Sequence, residues 1–206
     1  MNDPRDVLDL LDWKRRVFEL YAHVREVEPR TGWEHWRTKR DALFRTHSQT
    51  PLPERERASF RGLDLYDYDP ALRVTASLTA AVGEEVRVPS SSGDDMVFTR
   101  CATAGFSLLG ADHTLDVYWI GGYGGGLFLP FRDATSGKTT YGAGRYLYDT
   151  IKGADLGTTE NGELVLDFNF AYNPSCAYDP RWSCPLAPAA NLLEPAVEAG
   201  EKTPSF

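Results

Sequence analysis

Residues 72–79 read LRVTASLT, and this stretch decides the class of the fold. Its apolar residues Leu72, Val74, Ala76 and Leu78 alternate with arginine, threonine and serine. An alternation with a period of two is typical of a β-strand that buries one face and exposes the other. The stretch therefore predicts a half-buried strand.

Similar short runs lie on both sides of this strand, separated by turns rich in glycine, serine and aspartate. They cover residues 63–68, 84–88, 96–100, 105–109, 114–120, 126–132, 141–148 and 163–170. The connections are too short to hold crossover helices, so we expect mostly antiparallel pairing. About nine strands predict a mainly β (α+β) fold, either a curled antiparallel sheet or a closed β-barrel. A β-sandwich is the alternative.

Two amphipathic helices are predicted before the sheet. Asp3 and Pro4 have the form of a helix start, because an aspartate can cap the first turn and a proline fits its first position. Apolar residues then recur three and four apart on one face, namely Val7, Leu10, Leu11, Val17, Phe18, Tyr21 and Val24. Thr31 and Glu34 have the spacing of a capping box that starts a second helix, and Pro51 ends it.

The chain length of 206 residues suits a single domain. We expect residues 1–60 to form a helical segment that packs on a β-barrel of residues 61–206. Residues 172–206 contain six prolines, which predicts an extended segment wrapped on the barrel surface instead of a further central strand.

The charge balance excludes some classes of partner. The chain has 22 Lys+Arg against 30 Asp+Glu and a formal net charge of −8, whereas nucleic-acid binding requires clustered basic side chains. No apolar run approaches the roughly 18 residues of a membrane span, and residues 1–12 are acidic, unlike a signal peptide. We therefore expect a cytoplasmic protein without nucleic-acid or membrane partners. The sequence identifies no cofactor and leaves the oligomeric state open.

The segment 118–182 combines aromatic and charged residues, and it holds 13 of the 25 aromatic side chains. If the polar residues of its strands point inward, a buried Asp167 needs a cationic partner, because an unpaired buried charge costs several kcal/mol. We expect Arg145 or Arg132 to be that partner. An arginine with unused donors in an aromatic cavity would anchor a carboxylate or a phosphate.

The three cysteines receive different interpretations. Cys101 lies in a predicted strand, where a small inert core residue is typical. Cys176 and Cys184 follow the last strand, and three roles stay open for them: packed thiols, a disulfide, or a reactive thiolate whose pKa Arg145 or Arg181 lowers. No histidine lies at metal-ligand spacing to these cysteines, so no metal site is predicted.

Five short segments together resemble a known family. They are residues 127–133 (LFLPFRD), 140–146 (TYGAGRY), 166–176 (LDFNFAYNPSC), 184–185 (CP) and 199–202 (AGEK). In order and spacing they are similar to the bacterial and archaeal family known as domain of unknown function 1684, with Ala143 where many relatives have a third glycine. The resemblance implies a single domain and brings no established activity.

The motif positions supply the candidate site residues. We assign possible catalytic roles to Asp167, Arg145, Tyr141 and Cys176. We assign ligand-binding roles to Arg132, Asp133, Tyr146, Asn169, Tyr172, Asn173 and Cys184.

The leading functional hypothesis is a barrel that binds a small molecule, part apolar and part anionic. Arg145 and tyrosine hydroxyls would hold the ligand, and residues 172–185 would form a lid. A structural or interaction domain is an alternative, in which Arg132, Arg145, Asp133 and Asp167 form a closed ion-pair network that only fixes the strand register.

An enzyme that uses the same cavity is the other alternative. Asp167 would act as the base and Tyr141 or Tyr146 as the proton donor, or Cys176 would act as a nucleophile. The sequence contains no complete catalytic triad and no nucleophile elbow.

Overall fold

Three helices precede six β-strands in the computed structural model, which describes residues 3–205. The helices are α1 (Pro4–Glu26), α2 (Pro29–Thr46) and the short α3 (Glu54–Arg57). The strands are β1 (Arg73–Pro89), β2 (Asp95–Leu108), β3 (Ala111–Ile120), β4 (Gly126–Phe131), β5 (Arg145–Asp149) and β6 (Leu164–Asp167).

The strands form one antiparallel sheet in the order β5-β4-β3-β2-β1-β6. The sheet curls into a nearly closed barrel. At the closure, the hydroxyl of Tyr148 on β5 donates a hydrogen bond of 2.6 Å to the carbonyl of Val165 on β6. The predicted α+β class, with N-terminal helices and a curled antiparallel sheet, is confirmed.

The number of strands among the described residues is six, not nine, because two strands are longer than the sequence suggested. β1 contains both predicted runs 72–79 and 84–88, and its register against β2 shifts between Ala80 and Glu84. This shift is a β-bulge, which bends a strand without ending it. β2 likewise contains two predicted runs. The predicted run 63–68 contributes only an isolated bridge between Leu65 and Glu201.

The last strand is shorter than predicted and does not alternate. It stops at Asp167, and Phe168–Phe170 form a 3₁₀ turn in which Asp167 Oδ1 accepts the Asn169 N–H at 3.0 Å. All four residues of β6 are buried, so the expected separation into a polar and an apolar face was wrong. β6 has no solvent-exposed face. Helix α2 packs over the turn that follows it, where Trp33 Nε1 donates to the Asn169 carbonyl at 3.0 Å.

Helix α1 begins where the sequence predicted, whereas helix α2 begins earlier than predicted. Asp3 caps α1 by accepting the N–H of Arg5 at 2.8 Å. Helix α2 begins earlier than the predicted capping box, because Glu28 accepts the N–H groups of Arg30 and Thr31 at 3.1 and 2.9 Å. A proline at the first helical position then follows this cap.

Leu20, Tyr21 and Val24 are the buried residues of α1, and Trp13 and Val17 pack against the core while partly exposed. The apolar residues Val7, Leu10, Leu11 and Phe18 are exposed. The predicted apolar face is therefore buried only in part. None of the helices formed by residues 3–205 combines the length and apolar character needed to cross a membrane.

The C-terminal segment enters the protein interior, where a surface wrap was expected. Val197, Ala199 and Glu201 are each at most 1% exposed. The segment pairs with the sheet through isolated bridges, such as Arg132 with Leu192. Its buried carbonyls and carboxylate need partners, and those partners are residues of the candidate site.

Candidate functional site

The predicted site residues do not converge on one cavity. The structure distributes them over five places: a buried ion pair around Arg145, a buried carboxylate at Asp167, a thiol cluster around Cys176, a buried Glu201 that contacts Asn173, and a surface groove that contains Arg132. These places are described in turn.

Arg145 is a structural cation in the interior. Its residue is 1% exposed, and Nη2 donates to Asp133 Oδ2 at 2.6 Å and to the Val197 carbonyl at 3.2 Å. Nη1 donates to the carbonyls of Ala199 and Glu201. All four terminal N–H groups are thus used by protein oxygens. The guanidinium has no terminal donor left to anchor a ligand.

Asp133 is equally well satisfied. Its Oδ1 accepts the N–H of Thr135 at 2.6 Å and the Thr135 hydroxyl, while Oδ2 accepts from Arg145. The expected closed network of two arginines and two aspartates does not form. Asp167 lies elsewhere, and no ion pair joins Arg132 to a described carboxylate.

Asp167 is buried beside a different arginine from the two expected. Arg73 Nε on the neighbouring strand lies 3.6 Å from Asp167 Oδ2, because register pairing sets Arg73 opposite Asp167. Oδ1 accepts Asn169 Nδ2 at 2.8 Å. Burial raises the pKa of the Asp167 carboxyl from 3.8 to about 6, against the opposing effect of the Asn169 hydrogen bonds and of Arg73.

Asn169 has a structural role at this place. Its Oδ1 accepts the Asp69 N–H at 2.9 Å and its Nδ2 donates to the Asp69 carbonyl at 2.8 Å. The side chain therefore acts as a two-bond clamp that fixes the loop before β1. These bonds leave little of its amide for a ligand.

The raised pKa of Asp167 predicts a pH-dependent stability. Between pH 4 and pH 6 the folded state keeps a proton that the unfolded chain loses, so stability falls as the pH rises through this window. We expect the free energy of unfolding of the wild type to fall by about 2 kcal/mol relative to Asp167→Asn between pH 4 and pH 7. Urea denaturation at several pH values measures this difference.

The control for this experiment is Asp67→Asn, since Asp67 is an exposed residue in the loop before β1. The stability difference between this variant and the wild type should stay constant over the same pH range. Parallel pH profiles for Asp167→Asn and the wild type would contradict the assignment of a raised pKa to Asp167.

The thiol cluster joins four of the predicted residues: Cys176, Cys184, Tyr141 and Tyr146. Cys176 lies in the 3₁₀ turn Ser175–Ala177, and its sulfur is 3.7 Å from the Tyr141 hydroxyl oxygen. The Cys184 thiol hydrogen-bonds to Cys176 and is the largest cause that lowers the Cys176 pKa to about 6. All three cysteines are free thiols.

The expected arginine partners are absent from this thiol cluster. Arg145 is committed to Asp133, and Arg181 pairs with Asp179 at 3.4 Å and donates to the Thr50 carbonyl at 3.3 Å. Hydroxyl and thiol donors supply the stabilisation instead. Ser91, which the sequence did not single out, lies beside this cluster, where its Oγ accepts the Cys184 N–H at 3.0 Å and donates to the Trp182 carbonyl at 2.9 Å.

Tyr146 is held too tightly for a proton-donor role. Its hydroxyl donates to the carbonyl of Pro185, and its ring packs edge-on against Phe128 at 4.7 Å and Tyr172 at 5.6 Å. Tyr146 and Tyr172 also line a cavity of about 60 Å³ beside Lys152. That volume holds little more than water molecules.

Two important residues near Asn173 were missed by the sequence reading. Arg40 on α2 forms an ion pair of 2.5 Å with Glu201 Oε1, and the residue Glu201 is 1% exposed. Glu201 Oε2 accepts the Asn173 N–H and the Tyr178 hydroxyl, each at 2.7 Å. The AGEK motif was a signal for Glu201. Nothing in the local pattern around Arg40 distinguished it from the other charges of α2.

A groove of about 680 Å³ lies between strands β1–β3 and residues 186–190. Arg87, Arg100 and Arg132 line it together with Tyr118. Arg100 is neutralised by Glu84 at 3.1 Å and Asp116 at 3.6 Å. The buried Nε atoms of Arg100 and Arg132 both have no hydrogen-bond partner within the described chain, but no ion pair joins Arg132 to a described carboxylate.

The part of the chain that the structure describes contains no cluster of metal-ligating side chains. Among residues 3–205, no group of three or more histidine, cysteine, aspartate or glutamate side chains could hold a metal ion.

Comparison with known proteins gives a family and a related structure. The family model described as "Protein of unknown function (DUF1684)" matches residues 58–202, which confirms the resemblance expected from the motifs. The solution NMR structure of an uncharacterized protein from gene locus rrnAC0354 of Haloarcula marismortui is 38% identical, with a TM-score of 0.62. The match covers 84% of this chain and 93% of that one. No curated protein matches.

Proposed function

The chain belongs to the family "Protein of unknown function (DUF1684)", and from the geometry of its groove we propose that it binds a small molecule that is part apolar and part anionic. The proposal keeps the ligand class expected from the sequence and moves the anchor from Arg145 to Arg132. One observation carries it. The Arg132 guanidinium lines a large groove, and its buried Nε has no partner among residues 3–205.

An unpartnered buried donor is costly, because a polar group removed from water without a hydrogen bond loses about 1–3 kcal/mol. A ligand carboxylate or phosphate would supply the missing acceptor. Arginine is suited to this task, since its planar fork binds two oxygens of such a group at once. The observation therefore favours an anion next to Arg132.

The charges of the groove support an anion of low charge. Three arginines line it against two carboxylates, Glu84 and Asp116, so a positive excess remains on a protein whose net charge is −8. Because Arg100 already pairs with both carboxylates, Arg132 and Arg87 are the cations left for a ligand. Oppositely charged clefts of this kind concentrate their ligands.

The apolar part of the ligand has matching surface. Leu186, Ala187, Pro188 and Ala190 line the groove together with the aromatic Tyr118. The groove volume of about 680 Å³ falls within the range of about 300–1,000 Å³ that is typical of small-molecule sites. An aromatic acid or an aryl phosphate has this combination of properties.

We also propose a cytoplasmic location. The three cysteines carry free thiols, and stable disulfides belong mainly to oxidising compartments.

Binding of phenyl phosphate, followed by NMR titration or calorimetry, tests the proposed function. We expect saturable binding to the wild type and a Kd at least about tenfold higher for Arg132→Gln, because a charge-assisted hydrogen bond contributes about 1.5–3 kcal/mol. The neutral analogue benzyl alcohol should bind more weakly to the wild type. Its binding should change little in the variant.

The matched control is Arg55→Gln, since the Arg55 side chain is 80% exposed and lies outside the groove. This variant should bind phenyl phosphate as the wild type does. Equal loss in both arginine variants would indicate nonspecific charge attraction, and absence of saturable binding would refute the proposed ligand class.

A further inference from the structure

Two cysteines that are eight positions apart meet at the end of the barrel. Cys176 lies in the 3₁₀ turn after β6, and Cys184 lies in the segment that pairs with the end of β1. Their thiols are hydrogen-bonded to each other. This cluster is separate from the Arg132 groove, so the inference below goes beyond the proposed function.

The framework holds both thiols in place. On one side, the Tyr178 N–H donates to the Ser175 carbonyl at 3.1 Å and closes the turn around Cys176. On the other side, the Cys184 N–H donates to Ser91 Oγ at 3.0 Å, and the Ser91 N–H donates to the Cys184 carbonyl at 2.9 Å. Each of the two thiols is thus carried by a segment that backbone hydrogen bonds hold in place.

The two thiols are not equivalent. Cys176 is partly exposed, whereas Cys184 is 3% exposed. Hydrogen bonds from the Cys184 thiol and the Tyr141 hydroxyl stabilise a thiolate at Cys176, and they lower its pKa despite the opposing effect of burial. The hydrogen bond to Cys176, followed by burial, raises the pKa of Cys184.

We propose that Cys176 and Cys184 form a redox-active dithiol that exchanges with small-molecule disulfides, with Cys176 as the attacking thiolate and Cys184 as the resolving thiol. The Tyr141 hydroxyl and the Cys184 thiol both hydrogen-bond to the accessible Cys176 sulfur, and Cys184 is the buried thiol of the pair. An accessible stabilised thiolate next to a buried thiol is the arrangement that thiol–disulfide exchange requires.

The exchange proceeds in two displacement steps. In the first, Cys176 Sγ attacks one sulfur of the disulfide R–S–S–R, the S–S bond breaks, and RS⁻ leaves. In the second, Cys184 gives its proton to the departed RS⁻, and its sulfur attacks Cys176 Sγ in the mixed disulfide, which releases a second RS⁻. The protein dithiol is oxidised to one disulfide, and the small disulfide is reduced to two thiols.

Equilibration of the full chain with reduced and oxidised glutathione tests the proposal without any substitution. After acid quenching and alkylation, peptide mass spectrometry identifies the oxidised cysteines. We expect a disulfide between Cys176 and Cys184 and an unmodified Cys101. A pair that stays reduced at every glutathione ratio, or one that involves Cys101, would overturn the proposal.

Three variants assign the roles of the two thiols. Cys184→Ser should stop after the first step and accumulate glutathione on Cys176, whereas Cys176→Ser should form neither species. Cys101→Ser is the matched control and should behave as the wild type, since burial raises the pKa of Cys101. Accumulation of glutathione on Cys184 in the Cys176→Ser variant would reverse the assigned roles and refute the mechanism.

Tyr141→Phe tests the positioning role of the hydroxyl that lies 3.7 Å from Cys176 Sγ. Removing this donor should raise the pKa of Cys176 and slow its alkylation by iodoacetamide below pH 7. The expected decrease is several-fold, up to about tenfold for a shift of one unit, because only the thiolate reacts. The rate at pH 9 should change little. An unchanged profile of rate against pH would remove Tyr141 from the proposal.

Discussion

Replacing Arg145 with methionine should destabilise the protein by about 3–5 kcal/mol, which is a large share of the stability of a typical domain. Methionine fills much of the same volume but donates no hydrogen bond. The substitution leaves the Asp133 carboxylate, whose side chain is 0% exposed, without its cation. It also leaves the carbonyls of Val197 and Ala199 without this donor.

Urea denaturation of Arg145→Met measures this loss, and Arg132→Met provides the matched control. Arg132 carries the same charge, but no ion pair joins it to the described carboxylates, so its replacement should cost less than about 1 kcal/mol. An Arg145→Met variant within about 1 kcal/mol of the wild type would refute the structural role.

The Asp133→Asn variant completes a double-mutant cycle. Alone it leaves the buried Arg145 guanidinium uncompensated, and it should also destabilise the protein. Combined with Arg145→Met, it removes both charges, so the double variant should be destabilised by less than the sum of the single effects. Strict additivity would indicate that the two side chains act independently despite the 2.6 Å contact.

This prediction separates two hypotheses that the sequence left open for Arg145. A ligand anchor would leave the fold intact when removed and would abolish only ligand binding. A structural cation would unfold the protein when removed. The four protein acceptors of its terminal nitrogens favour the second outcome.

The sequence predicted the fold class because the strand period is a local property. The alternation in residues 72–79 needs no information from elsewhere in the chain. The strand count was wrong because a bulge and a turn have similar local composition. β1 pairs with β2 both before and after the interruption between Ala80 and Glu84. This continuity can be recognised only when the partner strand is known.

The ion-pair partners could not be predicted from the sequence, because they depend on how strands and segments far apart in the chain pair with each other. Arg145 and Asp167 were paired on the expectation that both point into one cavity. The structure sets Arg73 opposite Asp167 across β1 and β6, and it brings the carbonyls of residues 197–201 to Arg145. The register of β1 and β6 decides the first outcome, and the path of the C-terminal segment, whose prolines carry no pairing information, decides the second.

The sequence indicated which residues could form the thiol cluster, but not which groups would lower the pKa of its thiol. Cys176, Cys184 and Tyr141 were all candidates, yet arginines were expected to activate the thiol. The pairing of residues 184–186 with 89–91 brings Ser91 there instead. A residue 85 positions before Cys176 in the sequence cannot be recognised from the cysteine motif itself.

Replacing Glu201 with glutamine should destabilise the protein by about 3 kcal/mol, because one carboxylate connects three separate segments. Oε1 binds Arg40 of α2, while Oε2 accepts from the Asn173 backbone and the Tyr178 hydroxyl. A glutamine amide has only one oxygen. In either orientation its NH₂ group faces a donor, the Arg40 guanidinium or the Asn173 N–H.

The Arg40 guanidinium makes this loss larger than that of an ordinary surface ion pair. It lies 4.9 Å from the ring centroids of both Phe44 and Tyr172 and 5.5 Å from that of Trp36, and its side chain is 13% exposed. Without a carboxylate, a largely desolvated cation remains among aromatic rings, and a cation over a ring recovers only about 1–2 kcal/mol.

The control for Glu201→Gln is Glu198→Gln, an exposed glutamate of the same segment, whose replacement should change the free energy of unfolding by less than about 0.5 kcal/mol. Arg40→Met combined with Glu201→Gln should recover part of the loss, since the uncompensated cation is gone. Urea denaturation followed by tryptophan fluorescence reports on this site directly, because Trp36 packs against Arg40. A Glu201→Gln variant as stable as Glu198→Gln would mean that the ion pair does not hold α2 to the C-terminal segment.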